Sequence, residues 1–226
     1  IEYRQIGAAT KTTFMGFQTS GSPQAIMSSA SVSDIGYLVD PLDAFGVEYR
    51  TGRSLFNQAA RVTLSYTGNE LSGDLRPVDD ESHLVNDFTA TRGGAGSARF
   101  RLTEGALSVN PPPDGVGEYA DGQSFSLAHE GQCVDLASWY VHQGTLDEER
   151  YPRIEVALEN ARLVADSALT EAVIGLDIGQ RLDITDTPDF LPAQNIRQIV
   201  IGYEEWFDNF KHTLKINTIP ERAFES

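Results

Sequence analysis

The sequence predicts an α+β protein rich in β-strand, with a small α/β unit over residues 1–58 and an antiparallel β-barrel or sandwich over residues 59–226. Most apolar runs alternate with polar residues at the two-residue period of a strand. Convincing helical patterns with recognisable ends occur near 21–36 and 133–144. Strands that follow one another with few helices between them favour an α+β architecture.

The small unit begins with a weakly alternating run at 12–18, which predicts a strand. The next segment, 21–36, predicts a helix because Ser22 can cap its start, Pro23 fits its first turn and Gly36 can end it. Apolar residues recur within it at helical spacing, so one face of the helix can pack on a sheet.

Further alternating or β-branched runs predict the remaining strands. In order, they cover residues 37–41, 47–52, 61–66, 83–92, 97–102, 124–128, 153–159, 178–185, 196–207 and 212–219. Asp43 lies between the first two runs and is interpreted as a turn residue, not as half of a catalytic carboxylate pair. The last two runs predict a long hairpin that turns near Asp208. Helical patterns at 133–144, which ends at Gly144, and near 161–173 interrupt the strands.

The glycine-rich segment Gly93–Gly96 can be interpreted either as a phosphate-binding loop or as a hairpin turn. A P-loop needs a lysine and a hydroxyl residue after its last glycine, followed by a helix whose N-terminus holds the phosphate. No lysine follows Gly96, and the next residues predict a strand. The sequence therefore predicts the tip of a hairpin.

The histidines and the single cysteine match no catalytic or metal-binding motif. The histidines are scattered at His83, His129, His142 and His212. They lack the HExxH spacing of zinc proteases, and no Gly-x-Ser-x-Gly nucleophile elbow occurs. Cys133 lies among apolar residues, which indicates a buried, unreactive thiol. The sequence predicts no catalytic residue, no cofactor and no metal ligand.

The acidic runs at 78–82 and 183–189 lack the residue ladder of an EF-hand loop and are interpreted as solvated loop charge. The second run leaves a hard-cation site open, because Asp186 and Asp189 bracket a Thr-Pro step. A glycosidase also stays open, since two distant carboxylates can meet in any fold. No spacing in the sequence singles out such a pair.

The chain carries a formal net charge of −16, which disfavours binding to nucleic acid and to anionic lipid. A hydrophobic fraction of 40% is typical of a folded protein. No apolar run approaches the length of a membrane-spanning helix. Because the chain begins with Ile1 rather than Met, we expect a fragment or a processed product.

Several segments, in order, resemble the C-terminal part of a family of minor tail proteins from siphophages and prophages of actinobacteria, especially Streptomyces. These segments are 46–58, 62–94, 111–119, 144–152, 176–185 and 199–205. The most specific pieces are Arg-Ser-Leu-Phe-Asn-Gln at 53–58 and Asn-Asp-Phe-Thr-Ala-Thr-Arg-Gly-Gly at 86–94. The chain departs from the family at Phe56, where a tyrosine is expected, and at Phe88 and Ala90, where valines are expected.

The resemblance implies a non-enzymatic structural protein of the phage tail tip, similar in fold to tail-hub domains and part of a ring around the tail channel. It implies a homotrimer that contacts the distal tail protein, the tape measure and fibres, while the genome passes through without specific binding. The location implied is the virion tail, with assembly in the host cytoplasm. The family offers no catalytic motif to carry over to this chain.

Two other functions stay open at this stage. A carbohydrate- or receptor-binding domain at the tail tip would use Trp139, Trp206 or nearby tyrosines. A cell-wall hydrolase domain is the other alternative. The aromatic groups around both tryptophans are interpreted as core residues in preference to a sugar-stacking platform. We further expect part of the acidic charge to face the tail lumen, because like charge keeps DNA from adhering.

Overall fold

The computed structural model describes residues 15–18, 20–42, 45–78, 83–191 and 195–225, together with the backbone of residues 3–6. The strands are β1 (Tyr3–Ile6), β2 (Tyr37–Val39), β3 (Gly46–Arg50), β4 (Val62–Ser65), β5 (Asp87–Arg92), β6 (Ser97–Arg101), β7 (Ala120–Phe125), β8 (Arg153–Ala157), β9 (Arg181–Thr185), β10 (Ile196–Asp208) and β11 (Lys211–Pro220). The helices are α1 (Pro23–Asp34), α2 (Gly52–Leu55), α3 (Gly131–Gly144), α4 (Ala161–Ala165) and α5 (Ser167–Ile174), and a 3-10 helix follows at Glu221–Phe224. This strand-rich arrangement confirms the predicted α+β class.

The described strands form three sheets. The largest is five-stranded, with the order β4-β9-β10-β11-β8. A three-stranded sheet with the order β6-β5-β7 carries α3 against β5 and β6. Another three-stranded sheet, β1-β3-β2, belongs to the N-terminal part of the chain. All three sheets therefore contain neighbours that are not consecutive in sequence.

Two strand pairs after residue 58 run parallel, where the sequence predicts antiparallel neighbours. β4 pairs with β9, and β5 pairs with β7. Parallel strands need a long connection, and both pairs are separated by intervening elements of the chain. A local alternation pattern reports which face of a strand is buried, but it does not identify a distant partner. The predicted hairpins β5–β6 and β10–β11 are antiparallel, as expected.

Helix α1 begins as the sequence predicts, but its end has a different cause. The Ser22 hydroxyl accepts a hydrogen bond from the Ala25 N–H at 3.2 Å, and Pro23 occupies the first turn. At the other end Ile35, rather than Gly36, adopts the left-handed conformation with φ of 56°. Gly36 is needed for space instead, because a Cβ there would lie 2.6 Å from the Arg50 carbonyl oxygen.

Three clusters of buried apolar side chains lie in the described part of the molecule. The main cluster fills one side of the five-stranded sheet and includes Val62, Leu64, Ile154, Val156, Leu163, Val173, Leu182, Ile184, Ile196, Val200, Leu214 and Ile216. A second cluster, between α3 and the sheet of β5, includes Phe88, Ala90, Phe125, Leu127, Cys133, Leu136, Ala137 and Val141. A third joins α2, β10 and the 3-10 helix through Leu55, Ile199, Ala223 and Phe224.

Some element boundaries differ from the sequence-based expectation. The helical pattern near 161–173 is divided at Asp166, whose side chain accepts a hydrogen bond from the Leu169 N–H at 3.0 Å and caps α5. β7 begins at Ala120, before the predicted 124–128. In the predicted strand 12–18, Met15 forms an isolated bridge with Leu127, and residues 12–14 lie outside the described residues. The predicted turn at Asp43 also lies outside them.

The contact between the end of α3 and the segment before β5 depends on Gly144. A Cβ built on this residue would lie 2.6 Å from the Val85 carbonyl oxygen and 2.7 Å from the Val85 Cβ. Replacing Gly144 with alanine should therefore lower the free energy of unfolding by about 2 kcal/mol, because the backbone must move to admit a methyl group. Urea unfolding followed by circular dichroism measures this loss.

The matched control for this substitution is Gly131→Ala, in the first turn of the same helix. A Cβ at Gly131 meets nothing within 4 Å. This variant should gain about 0.5 kcal/mol in the free energy of unfolding, because alanine favours a helix over glycine. Equal stabilities for the two variants would contradict the close approach at Gly144.

Candidate functional site

The glycine-rich segment forms the tip of the β5–β6 hairpin, as the sequence predicts. The Arg92 N–H donates to the Gly96 carbonyl at 3.0 Å, and the Ala95 N–H donates to the Arg92 carbonyl at 3.0 Å. Gly94 has a φ of 73°, which favours glycine. The chain continues into β6 instead of a helix, so no helix N-terminus is present to hold a phosphate.

Below this tip, Asp87 at the start of β5 is buried and pairs with two arginines of β6. Arg99 donates to Asp87 from Nε at 2.7 Å, and the Arg101 Nε lies 3.1 Å from the other carboxylate oxygen. Glu118 accepts from both guanidinium groups at 3.0 Å. The hydrogen bonds from Arg99 hold the pKa of Asp87 below its usual range, and the positive charge of Arg101 adds to the effect. These four side chains form the Asp87 network, which fixes two arginines on the surface of β6.

The other acidic residues singled out by the sequence are separated from one another. Asp183 is bound by both Nε and Nη2 of Arg181, at 2.6 and 2.7 Å. Asp186 is exposed and accepts a hydrogen bond from the Ser65 hydroxyl at 2.8 Å. Among the described residues, no group of histidine, cysteine and acidic side chains is arranged to hold a metal ion. Residues 79–82 of the first acidic run lie outside the described residues.

Cys133 is fully buried in the second apolar cluster, where the sequence places an inert thiol. Burial raises the pKa of this thiol, and the charge of Glu130 raises it further. A thiol with a raised pKa carries little of the reactive thiolate at neutral pH. The structure therefore gives Cys133 a packing role.

A cleft of about 260 Å³ opens between α3, β5 and the end of β11. Its walls are mainly apolar and are formed by Val78, Val85, Phe88, Tyr140, Pro152, Ile219 and Pro220. His83, Asp121 and Arg150 also reach it, but no hydrogen bond joins these three side chains to one another. These three polar side chains therefore lie separately on a mainly apolar wall.

The two tryptophans lie in different environments, although both are predicted to be core residues. Trp139 on α3 donates from Nε1 to the Ala223 carbonyl at 3.1 Å, and its ring lies 5.6 Å from the ring of Phe224. Trp139 is therefore partly buried and packs against the third apolar cluster, in agreement with the expected packing role. Trp206 on β10 is 49% exposed, so its interpretation as a core residue is wrong. The reason is that β10 continues past the apolar cluster into solvent.

We call residues 206–212, the exposed ends of β10 and β11 with their two-residue turn, the projecting hairpin. Phe207 and Phe210 on it are 65% and 96% exposed. The ring of Phe207 stacks on the ring of His212 at 4.0 Å, and Asn209 in the turn has a φ of 51°. Exposed aromatic side chains close together on a projecting ribbon are typical of a surface that contacts another molecule.

A signal for this surface is present in the sequence. The run Tyr-Glu-Glu-Trp-Phe-Asp at 203–208 has acidic residues on both faces of the strand, which a buried strand does not tolerate. The aromatic residues between the acidic ones are typical of a buried strand, so they favour the opposite prediction. The run at 196–200, by contrast, has buried residues on both faces of the sheet.

Comparison with solved structures identifies two tail proteins of the same fold. The 43 kDa tail protein of prophage MuSo2 from Shewanella oneidensis has a TM-score of 0.59 and 10% sequence identity, over 98% of this chain and 62% of that one. A tail protein from Neisseria meningitidis MC58 has a TM-score of 0.60 and 11% identity, over 100% of this chain and 65% of that one. This chain therefore spans less than two thirds of the length of each. No protein-family model and no curated protein sequence matches the chain.

These likenesses show the fold, and they cover the chain almost from end to end. No described helix is long and apolar enough to cross a membrane. The Asp87 network and the buried clusters stabilise the fold, while the projecting hairpin is an exposed surface. The chain thus has the fold of these two tail proteins.

Substitutions at the two tryptophans test whether Trp139 is packed and Trp206 is exposed. Trp139→Phe should lower the free energy of unfolding by about 1–2 kcal/mol, because it leaves the Ala223 carbonyl without its donor and reduces packing on Phe224. Trp206→Phe is the matched control and should change it by less than about 0.5 kcal/mol. Urea unfolding measures both, and a larger loss at Trp206 would contradict its placement.

The Asp87 network predicts a pH-dependent contribution to stability. Asp87→Asn should lower the free energy of unfolding by about 2 kcal/mol at neutral pH, since two half-exposed guanidinium groups lose their buried counter-charge. The pKa of Asp87 is lower in the folded chain than in the unfolded chain. Its contribution is therefore present at neutral pH and is lost as the pH falls through the folded-state pKa.

Denaturant unfolding at a series of pH values tests this contribution. The stability difference between the parent chain and Asp87→Asn should shrink in acid. Asp135→Asn, which changes an exposed carboxylate on α3, is the control and should cost less than about 0.5 kcal/mol. A stability difference for Asp87→Asn that does not depend on pH would contradict the ionic role of Asp87.

Proposed function

We propose that this chain is a structural, non-enzymatic component of a phage tail. The observation that carries the proposal is the fold, which matches two phage tail proteins over 98% and 100% of this chain. Fold alone does not determine function, so the proposal also draws on the sequence resemblance to minor tail proteins. The structural likeness comes with only 10% and 11% identity, so it adds a similarity of fold to the similarity of sequence segments.

We propose the tail tip as its position, where it would form part of a baseplate-hub ring around the channel. A trimer is the assembly that the sequence resemblance implies, with the distal tail protein, the tape measure and fibres as neighbours. The net charge of −16 supports this role, because acidic residues facing the channel would repel the phosphates of passing DNA. In this proposal the virion tail is the final location and the host cytoplasm is where assembly occurs.

We also propose that the chain divides near residue 58 into the two units predicted from sequence. The strands β1 to β3 share one sheet, and β4 begins the five-stranded sheet. The two units would still contact closely, since Leu55 packs with Ile199 and Phe224. Limited proteolysis tests the boundary: a first cut near residue 58 would support it, and first cuts only elsewhere would oppose it.

The exposed Trp206 favours carbohydrate or receptor binding as the second candidate function. Aromatic side chains that reach solvent can stack on sugar rings, and Phe207 and Phe210 lie close by. Glycan-array binding by the purified chain separates the candidates. Saturable binding that Trp206→Ser abolishes and Phe190→Ser retains would favour the second function over a purely structural one.

Electron microscopy of the intact particle tests the tail-tip proposal. A small C-terminal tag on the chain can be labelled with a gold-conjugated antibody, and the label should appear at the tail tip. The fold should also fit into the density of the ring. Density on a side fibre, or label on the capsid, would reject the proposal. If acidic residues face the channel, the same map should place carboxylates rather than arginines and lysines on the lumen wall.

A further inference from the structure

The 3-10 helix at Glu221–Phe224 closes the third apolar cluster. Ala223 and Phe224 are buried, and the Phe224 ring packs edge-on against the ring of Phe56, with 5.5 Å between the ring centres. The indole of Trp139 donates its hydrogen bond to the Ala223 carbonyl. The environment of Trp139 therefore reports whether this helix is docked.

The first residue of the helix, Glu221, is a buried carboxyl group. Its side chain is only 2% exposed. In the described part of the chain Oε2 has no hydrogen-bond partner, and Oε1 lies 3.6 Å from Nη1 of Arg181. That distance is too long for a hydrogen bond. A buried carboxylate is costly unless hydrogen bonds and a close cation compensate its charge.

The guanidinium group of Arg181 is used by other partners. Its Nε and Nη2 donate to the Asp183 carboxylate at 2.6 and 2.7 Å, and its Nη1 donates to the Gln58 carbonyl at 2.9 Å. The side chains of Arg181 and Asp183 are 14% and 11% exposed, so this ion pair is largely buried. The positive charge of Arg181 is therefore already matched by Asp183.

The other arginines in this region are also matched by carboxylates. Arg197 on β10 donates to Glu225 at 3.0 Å, and both side chains are about half exposed. Arg222, on the 3-10 helix itself, is exposed and acts on Glu148. Each of these arginines thus has another carboxylate beside it, and Glu221 is the carboxyl group that is left over.

These surroundings favour the neutral form of Glu221. Burial raises the pKa of Glu221, the charge of Arg181 opposes this shift, and the charge of Glu225 adds to it. The neighbouring helices contribute the apolar Leu55 from α2 and the indole of Trp139 from α3. A proton on Glu221 removes the cost of burying a second carboxylate beside one guanidinium group.

We infer that the 3-10 helix is a proton-dependent latch, which stays docked while Glu221 is protonated and loosens when Glu221 ionises. Loosening admits water to the carboxylate and exposes the apolar side chains of Leu55 and Phe224. Because the pKa of Glu221 is higher in the folded chain than in the unfolded chain, the stabilising contribution is complete in acid. It is lost as the pH rises through the folded-state pKa. The inference does not rest on the proposed function.

Tryptophan fluorescence of the full chain tests the latch. Trp206→Phe leaves Trp139 as the only tryptophan, and His142→Gln removes an imidazole one turn further along α3. In this parent variant the emission should shift to longer wavelength as the pH rises from mildly acidic to mildly alkaline values. The reason is that Trp139 loses the Ala223 carbonyl and meets water. Glu221→Gln keeps the shape of the neutral side chain and should abolish the shift.

Two further substitutions in the same parent identify the titrating group. Glu225→Gln removes a negative charge near Glu221 and frees Arg197, so the transition should move to lower pH. Glu104→Gln changes an exposed loop carboxylate and should leave the transition where it is. Circular dichroism at each pH confirms that the variants remain folded.

Hydrogen exchange measured by mass spectrometry follows the helix itself. At alkaline pH the amides of residues 221–225 should exchange about tenfold more slowly in Glu221→Gln than in the parent, because the helix stays docked. Urea unfolding at the same pH should give a higher midpoint for Glu221→Gln than for the parent.

A fluorescence transition that persists unchanged in Glu221→Gln would overturn the inference, and so would an emission of the parent that does not depend on pH. A lower urea midpoint for Glu221→Gln at alkaline pH would also overturn it. That result would mean that an ionised Glu221 stabilises the chain through Arg181.

Discussion

The structure depends on the alternation of side chains along the first half of β10. Ile196 and Val200 point into the main apolar cluster, while Ile199 points to the opposite side, toward Leu55 and Phe224. Each of these buried side chains contributes about 1.5–3 kcal/mol by leaving water. A shift of one residue in register would exchange the two faces and expose both sets. One strand therefore fixes two clusters relative to each other.

The second half of the same strand obeys a different constraint. Beyond the break in register at Val200, no described strand covers the outer edge, and the side chains toward the turn are exposed. Leu214 and Ile216 on β11 remain buried because β8 continues beside them. Among the described strands, β8 therefore anchors one edge of the hairpin and none covers the other edge. An anchored ribbon with a free edge is well suited to join two molecules, since it keeps its shape before contact.

Sequence reasoning succeeds where the physics is local and fails where it is not. Ser22 and Pro23 fix the start of α1 because a cap and a first-turn proline act within a few residues. The β5–β6 turn follows from glycines in the same way. The pairing of β4 with β9 depends on contacts across more than a hundred residues, and no short-range pattern reports it. Whether an aromatic residue lies in the core also depends on tertiary contacts, which secondary-structure propensity does not encode.

Trp139 and Trp206 illustrate this limit for the candidate site. Both lie next to another aromatic residue in the sequence, and both segments have apolar neighbours. Only the acidic residues beside Trp206 distinguish the two, and they do so because carboxylates are rarely buried without a partner. Asp87 shows the exception: it is buried, and two arginines two residues apart on the neighbouring strand compensate its charge. Those partners are visible only after β5 and β6 are paired.

The Asp87 network also connects folding with the surface of β6. Arginine side chains lose considerable rotamer freedom when they are ordered at an interface. Here Asp87 and Glu118 hold Arg99 and Arg101 in place within the isolated chain, so part of that cost is met during folding. Stacking of Phe207 on His212 restricts the projecting hairpin in the same sense. Side chains that are ordered before contact lose less conformational freedom when another molecule binds. A buried carboxylate therefore decides how two arginines are held on the surface of β6.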